Sequence, residues 1–362
     1  TWVFSNVAQS PVPSLLRGFS APVVLQYDFS DAELLTQLAH DSDSFNRWEA
    51  GQRLAVRYAL QAIQSDAPVA ADVLPEAFVH ALRDVLRHPT LDAAYKDLVL
   101  ALPSEAYMAE QLDVVDPQRI HAVRESMRLQ LAQSLQADWA WALETYGDTG
   151  AYRPDPVSSG KRALAGSALL MLCLAAQVSG DTVWHGKAYQ RFKDAGNMTD
   201  RFNALSALVH SGAELAKPAL ERFHTLFKNE PLVIDKWFAL QAGTCDRGGN
   251  VLPAVKQLMK HPDFSLKNPN RARSLIFSYC SANPGAFHRA DAAGYVFWSE
   301  RVLELDAINP QVASRLARGM DRWSKLAQPY RTAAREAIAR VAAKPDLSND
   351  VREIVTRALG ND

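Results

Sequence analysis

The sequence is poor in cysteine and contains no long apolar run. Its three cysteines, Cys173, Cys245 and Cys280, lie far apart and form no C-x-x-C pair. An odd and widely spaced set argues against a disulfide framework and favours a reducing compartment, so we expect a cytoplasmic protein. Residues 163–176 form the longest apolar run. Because a membrane-spanning helix needs roughly 20 apolar residues, we interpret this run as a buried helix and expect no membrane partner.

The motifs of the common enzyme classes are also missing. None of the nine histidines lies three or four residues from another, so no helix presents two imidazoles on one face to a metal ion. There is no H-E-x-x-H, no G-x-S-x-G, no P-loop and no G-x-G-x-x-G, which leaves nucleophile and nucleotide chemistry without a motif. The sequence therefore predicts no catalytic residue, no metal and no cofactor in this chain.

Charge of one sign is not in excess. With 39 Lys and Arg against 40 Asp and Glu, the net charge is -1, and we expect no nucleic-acid partner. Locally, residues 311–340 hold seven cationic side chains and two acidic ones. One helix over 310–323 would present Arg315, Arg318 and Arg322 on a single stripe. The stripe is either a solvated outer face or a surface that recognises carboxylates or phosphates.

A short opening differs from the rest of the chain. Residues 2–7 and 14–23 have a β-type composition, and residues 23–29 alternate apolar and polar side chains, as in a half-buried strand. Strands without partners are unstable, so we expect the rest of their sheet to precede Thr1 and the chain to be a fragment. The helical pattern begins at Ser30, which with Glu33 forms a capping-box sequence.

From residue 30 onward, helix follows helix with short connections. We predict single helices over 116–146 and 268–281, among others, with N-cap and proline signals at Asp116 and Asn309 and stops at Gly180 and Gly212. The expected fold is mainly α. It is an irregular superhelical array of antiparallel helix pairs, bowl-like as in HEAT or armadillo arrays, after a short β segment. Such arrays have concave surfaces that hold ligands or partners.

Six segments in order resemble the C-terminal part of the bacterial aminopeptidase N family, which are alanyl aminopeptidases of the zinc gluzincin class. They are 14–23 (SLLRGFSAPV), 45–50 (FNRWEA), 197–200 (NMTD), 235–238 (DKWF), 268–271 (NPNR) and 309–315 (NPQVASR). The resemblance implies that residues 1–29 are the end of a β-sandwich domain and residues 30–362 a C-terminal α-helical superhelical domain.

The resemblance also implies a function. The helical domain of this family caps the zinc site, encloses the active-site cavity and controls the access of peptides, whose N-terminal amino acids the enzyme removes. The NPQVASR segment looks like the stretch that faces this cavity, which points to Gln311 and Arg315; Arg273 is a second candidate. Zinc, H-E-x-x-H and G-A-M-E-N belong to the part of the enzyme that this chain lacks, so we expect the chain to be inactive alone.

A second hypothesis stays open beside the first. The chain could be a free-standing α-solenoid scaffold that binds a protein partner on its concave face. Upstream coding sequence with H-E-x-x-H would favour the aminopeptidase cap, whereas a start codon next to Thr1 would favour the scaffold.

Overall fold

The structure is a computed structural model that describes residues 5–23, 25–147 and 150–360. Within them, twenty α-helices follow one another. They are α1 (Asp31–His40), α2 (Ser44–Gln64), α3 (Glu76–Arg87), α4 (Ala93–Leu100), α5 (Glu105–Glu110), α6 (Pro117–Ser134), α7 (Gln136–Tyr146), α8 (Pro156–Ser179), α9 (Val183–Asp194), α10 (Met198–Ser211), α11 (Ala216–Phe227), α12 (Pro231–Ala242), α13 (Val251–Leu258), α14 (Pro269–Ala272), α15 (Ser278–Cys280), α16 (Pro284–Phe287), α17 (Ala293–Asp306), α18 (Pro310–Ala317), α19 (Tyr330–Ala342) and α20 (Asn349–Leu359).

Local capping fixes where many of these helices begin and end. Ser30 accepts a hydrogen bond from the Glu33 backbone, and the Glu33 carboxylate accepts one from the Ser30 backbone, so the predicted capping box at α1 is confirmed. The Asn309 side chain caps α18 by accepting a hydrogen bond from the Val312 backbone N–H, and Pro310 lies in its first turn. Gly180 and Gly212 end α8 and α10 at φ of 75° and 70°, a left-handed conformation that glycine adopts without a steric penalty.

Three of the predicted helices are interrupted. The helix expected over 116–146 breaks at Leu135, where the indole nitrogen of Trp139 donates to the Leu131 carbonyl at 3.1 Å across the break. The helix expected over 268–281 contains a π-helical segment at Arg273–Phe277 between α14 and α15. The helix expected over 310–323 ends at Ala317 and continues as 3₁₀ turns at Arg318–Met320 and Trp323–Lys325.

The expected strand over 23–29 is not formed in the described residues of that segment. Its backbone carbonyls are instead occupied by arginine side chains of α2: Arg53 donates to Tyr27 O at 3.1 Å, and Arg57 to Phe29 O at 2.9 Å. These two hydrogen bonds hold the segment against α2. Residues 14–23 hold one 3₁₀ turn, Arg17–Phe19, and no strand. Residues 2–4 and Val24 lie outside the described residues.

Most of the buried apolar side chains form one core, to which α8 contributes a long buried face. This long apolar helix packs against α4, α6, α7, α9 and α10, and its inner face buries side chains such as Leu164, Leu172 and Cys173. By length and composition alone α8 is the one helix in the described part of the chain that could span a membrane, but 56% of its apolar window is buried inside the protein. The expectation of a buried core helix agrees with this packing.

The array closes on itself along one line, which we call the seam. The seam joins α5, α6 and the loop between them to α16 and to the two 3₁₀ turns after α18. Val115 N donates to Lys325 O and Ala327 N donates to Val115 O, both at 2.8 Å, in a short parallel bridge. The Gln118 amide at the start of α6 donates to the carbonyls of Gly285 and His288. The seam positions the cavities described next.

Candidate functional site

Gln311 and Arg315, the two side chains singled out from the sequence, lie one turn apart on α18 and are both exposed. The opposite face of α18 buries Val312, Ala313 and Leu316, which fixes the direction in which the polar side chains point. Within the part of the chain that the structure describes, the Arg315 guanidinium has no hydrogen bond or ion pair with another residue. It is therefore available to an external carboxylate or carbonyl.

Arg273 is also exposed and begins the π-helical segment, where it donates to Asn270 Oδ1 at 3.2 Å. π-helical turns occur frequently at functional sites. The cavity-lining role of Gln311, Arg315 and Arg273 stays a prediction.

The arginine stripe expected on one helix is wrong in its geometry. Because α18 ends at Ala317, Arg318 lies in the first 3₁₀ turn and Arg322 lies beyond it. Arg322 turns to the seam and donates to Glu110 Oε1 at 2.8 Å. The turn is set by Trp323, which is buried and donates its indole N–H to the Ala358 carbonyl at 3.0 Å. Only Arg315 of the three remains on α18.

A polar cavity of about 400 Å³ adjoins the seam. It is enclosed by the start of α5, the middle of α6, the end of α10, the loop after α12 and the turn before α16. Its lining side chains include Glu105, His121, Arg124, Arg128, His210 and Cys245.

Three of these groups form a hydrogen-bonded row. Glu105 Oε1 lies 2.7 Å from Nδ1 of His121, and Nε2 of His121 lies 3.5 Å from Sγ of Cys245. Cys245 is partly exposed, in the loop between α12 and α13. That loop is held by Asn283, whose side-chain amide donates to the carbonyls of Ala242 and Thr244 at 2.8 Å. A thiol, an imidazole and a carboxylate in this order can activate a nucleophile.

The hydrogen bonds of the row favour protonated His121. The pKa of His121 is raised to about 10 by its hydrogen bonds with the Cys245 sulfur and the Glu105 carboxylate, against the opposite effect of burial. Arg124 donates to the Pro103 carbonyl at 2.8 Å, and Arg128 is paired with Glu125. Burial and nearby arginines lower the pKa of His210 to about 4, so His210 is neutral at physiological pH.

A smaller cavity of about 200 Å³ lies on the other side of Glu105. Its walls are mostly apolar and come from both sides of the seam, with Val115 and Ile120 facing Met320, Trp323 and Leu326. His288 also lines it, and burial lowers the pKa of His288 to about 4. This cavity can hold an apolar group, but neither His121 nor Cys245 lines it.

Another cluster unites two histidines and an aspartate far from the seam. The ligand atoms of His224, His261 and Asp263 lie within 4.8 Å of one another. Hydrogen bonds already connect them, since His224 Nε2 is 2.6 Å from Asp263 Oδ2 and the Asp263 backbone N–H donates to His261 Nδ1. Helical spacing of histidines could not have found this set, because the residues come from α11 and the loop after α13. The expectation of no metal stays a prediction.

Sequence reasoning missed the row of Glu105, His121 and Cys245. Cys245 and His121 are 124 residues apart, and no local spacing connects them. The sequence does contain one signal for Cys245: it follows the end of an apolar helix and precedes Gly248–Gly249, which indicates a loop. Cys173 and Cys280, in contrast, lie within helices.

The chain matches two family models. One, described as "Domain of unknown function (DUF3458_C) ARM repeats", covers residues 31–360. The other, described as "Domain of unknown function (DUF3458) Ig-like fold", covers residues 1–28.

Relatives and a solved structure agree with these matches. Over 99% of this chain, aminopeptidases N of Caulobacter vibrioides and Escherichia coli are each 36% identical, and that of Haemophilus influenzae is 34% identical over 98%. The chain spans 40% of the length of each. A crystal structure of Legionella pneumophila aminopeptidase A in complex with aspartic acid superposes with a TM-score of 0.85 at 28% identity, covering 99% of this chain and 42% of that one.

These matches confirm the resemblance drawn from the six sequence segments and the mainly helical fold. The chain belongs to the DUF3458_C family of ARM-repeat domains, and over nearly its whole length it is similar to the C-terminal region of aminopeptidase N.

Proposed function

We propose that this chain is the non-catalytic C-terminal cap of a zinc aminopeptidase of the N type, which removes N-terminal amino acids from peptides. In this proposal the helical array encloses the active-site cavity of the enzyme and controls which peptides reach it. Exclusion of bulk water by the cap would strengthen electrostatic contacts with the substrate. The similarity to 40% of the length of aminopeptidase N supports the assignment to such an enzyme.

Zinc would be held elsewhere in such an enzyme. The 362 residues contain neither H-E-x-x-H nor G-A-M-E-N, so this chain supplies no zinc ligands of that type and no general base. Its own contribution is the shape and the polar groups of the cap. Three free cysteines also support a cytoplasmic location for the proposed enzyme.

The observation that carries the proposal at residue level is the exposed pair Gln311 and Arg315 on a capped, firmly packed helix. A guanidinium with no partner in the described structure can bind the carboxylate or carbonyls of a peptide that extends into the cap. Peptides long enough to reach it would gain affinity, whereas small anilide substrates would end before they reach it.

The test is Arg315→Ala in the complete enzyme. We expect the variant to bind longer peptides more weakly by roughly 1–3 kcal/mol, the value of a charged hydrogen bond, and to raise their KM. Aminoacyl anilides should be affected much less. Peptide and anilide kinetics, with circular dichroism to verify the fold, measure the difference.

The matched control is Arg318→Ala, because Arg318 is exposed and lies just beyond α18. Arg322 is less suitable, since it is paired with Glu110 at the seam. Arg318→Ala should leave the kinetics with both long peptides and anilides unchanged. If Arg315→Ala leaves long peptides and anilides equally unaffected, the assignment of Arg315 to the substrate cavity is wrong.

A further inference from the structure

The three cysteines of this chain lie in very different surroundings. Cys173 and Cys280 are buried within the helical core, and burial raises the pKa of Cys173 to about 12 and that of Cys280 further still. Both should be inert thiols. Cys245 instead is partly exposed, lines the polar cavity and has His121 at 3.5 Å.

The contacts of His121 suit it to take the proton of Cys245. Glu105 accepts the Nδ1 proton of His121 at 2.7 Å, which stabilises the imidazolium and leaves Nε2 to hold the proton that Cys245 releases. A thiolate beside an imidazolium is the ion pair that activates cysteines in several enzyme classes.

The other charged groups that face the cavity act in the same direction. Once the proton has passed from Cys245 to His121, three cationic groups balance three anionic ones, so the thiolate–imidazolium pair leaves the cavity neutral. The titratable and charged groups that face the cavity are Glu105, His121, Arg124, Glu125, Arg128, His210 and Cys245, and His210 is neutral.

We propose that Cys245, His121 and Glu105 form a reactive-thiol site that undergoes exchange with small disulfides. The Cys245 thiolate attacks one sulfur of the disulfide, the S–S bond of the reagent breaks, and its other half leaves as a thiolate with the bonding electron pair. His121 holds the proton that Cys245 released until the departing thiolate takes it. The adduct is a mixed disulfide in the cavity of about 400 Å³, and no external oxidant is consumed.

The experiment treats the folded chain with dithiodipyridine, a small neutral disulfide whose released thiopyridone is measured by absorbance. We expect one fast equivalent, located at Cys245 by peptide mass spectrometry, while Cys173 and Cys280 react only after unfolding in urea. The wild-type rate should depend less steeply on pH between about pH 6 and 8 than that of a free thiol, because His121 lies 3.5 Å from the attacking sulfur and can hold its proton.

Variants separate this site from mere exposure of a thiol. His121→Gln should lower the rate at about pH 6 by roughly 10-fold or more and make it rise with pH as for an ordinary thiol. Glu105→Gln, a milder change, should lower the rate by a smaller factor. His224→Gln, which removes a histidine paired with Asp263 elsewhere, is the matched control and should react like wild type.

Two results would overturn the proposal. One is a wild-type rate that rises about tenfold per pH unit up to about pH 8.5, which needs no variant to be measured. The other is a rate of Cys245 modification that is no higher in the folded wild type than in urea. A rate that is the same in wild type, His121→Gln and Glu105→Gln would count equally against the proposal.

Discussion

At the scale of single residues, the seam holds two histidines whose titration is shifted in opposite directions. The pKa of His121 is raised to about 10 by hydrogen bonds with Cys245 and Glu105, whereas burial lowers that of His288 to about 4. Protonation of His121 therefore contributes stability that is complete below an unfolded pKa of about 6.5 and is lost as the pH rises through 10. His288 behaves in the reverse sense.

We predict that His288 makes the protein less stable in mild acid. Below about pH 6.5, His288 becomes protonated in the unfolded chain. In the folded protein it stays neutral down to about pH 4, so acid favours unfolding. Urea titrations at pH 7 and at about pH 5 should show that wild type loses roughly 1–2 kcal/mol more of its free energy of unfolding than His288→Gln does. An equal loss in the two proteins would show that His288 titrates normally in the fold.

At the scale of secondary-structure elements, α6 and α16 approach each other closely in the seam at Gly285. A Cβ placed on Gly285 would lie 2.5 Å from the imidazole of His121, and that ring cannot move freely because Glu105 and Cys245 hold its two nitrogens. Glycine at this position is thus a requirement of packing between two helices.

Gly285→Ala should accordingly destabilise the protein by roughly 1–3 kcal/mol, the usual cost of an overpacked contact. Gly186→Ala is the control, because Gly186 lies on α9 with nothing within 4 Å of its added Cβ. Alanine has the higher helix propensity, so that variant should be unchanged or more stable by up to about 1 kcal/mol. Chemical denaturation of both variants compares the two sites, and equal stability of both would exclude a tight α6–α16 contact.

The elements that sequence analysis located correctly are those fixed by local chemistry. The capping box at Ser30 and the Asn309–Pro310 start of α18 depend on residues within one turn. The break at Leu135 lies beside the hydrogen bond from Trp139 to Leu131, and residues 25–29 are held by arginines of α2 rather than by a neighbouring strand. Tertiary contacts of this kind override local periodicity, which is why the pattern predicted a longer helix and a strand.

Of the candidate sites, too, only the one that depends on local spacing could be predicted from the sequence. Gln311 and Arg315 could be placed on one helix face because four residues make one turn. The row of Glu105, His121 and Cys245 could not be found, because the fold brings together residues from α5, α6 and the loop after α12 that are far apart in the sequence.

At the scale of the whole molecule, we predict that the chain alone binds no stoichiometric zinc and cleaves no aminoacyl anilide. The three-residue set at His224 offers one ligand fewer than a structural zinc site needs, and its nitrogens already take part in hydrogen bonds. Elemental analysis after dialysis and an anilide assay measure both properties. One zinc per chain that disappears in His224→Gln, or turnover that survives repurification, would contradict the prediction.

The bridge between Val115 and Leu326 gives this helical array the topology of a ring. In an open solenoid each repeat contacts only its neighbours, so the ends can fray independently and folding can start anywhere. Here the Arg322–Glu110 contact beside the bridge joins residues 212 positions apart. The entropy of closing so long a loop must be overcome before such contacts form, which raises the contact order and slows folding. Once closed, the ring couples the helices around α19 to those around α5, so that we expect the final helices to unfold together with helices from the first third of the chain.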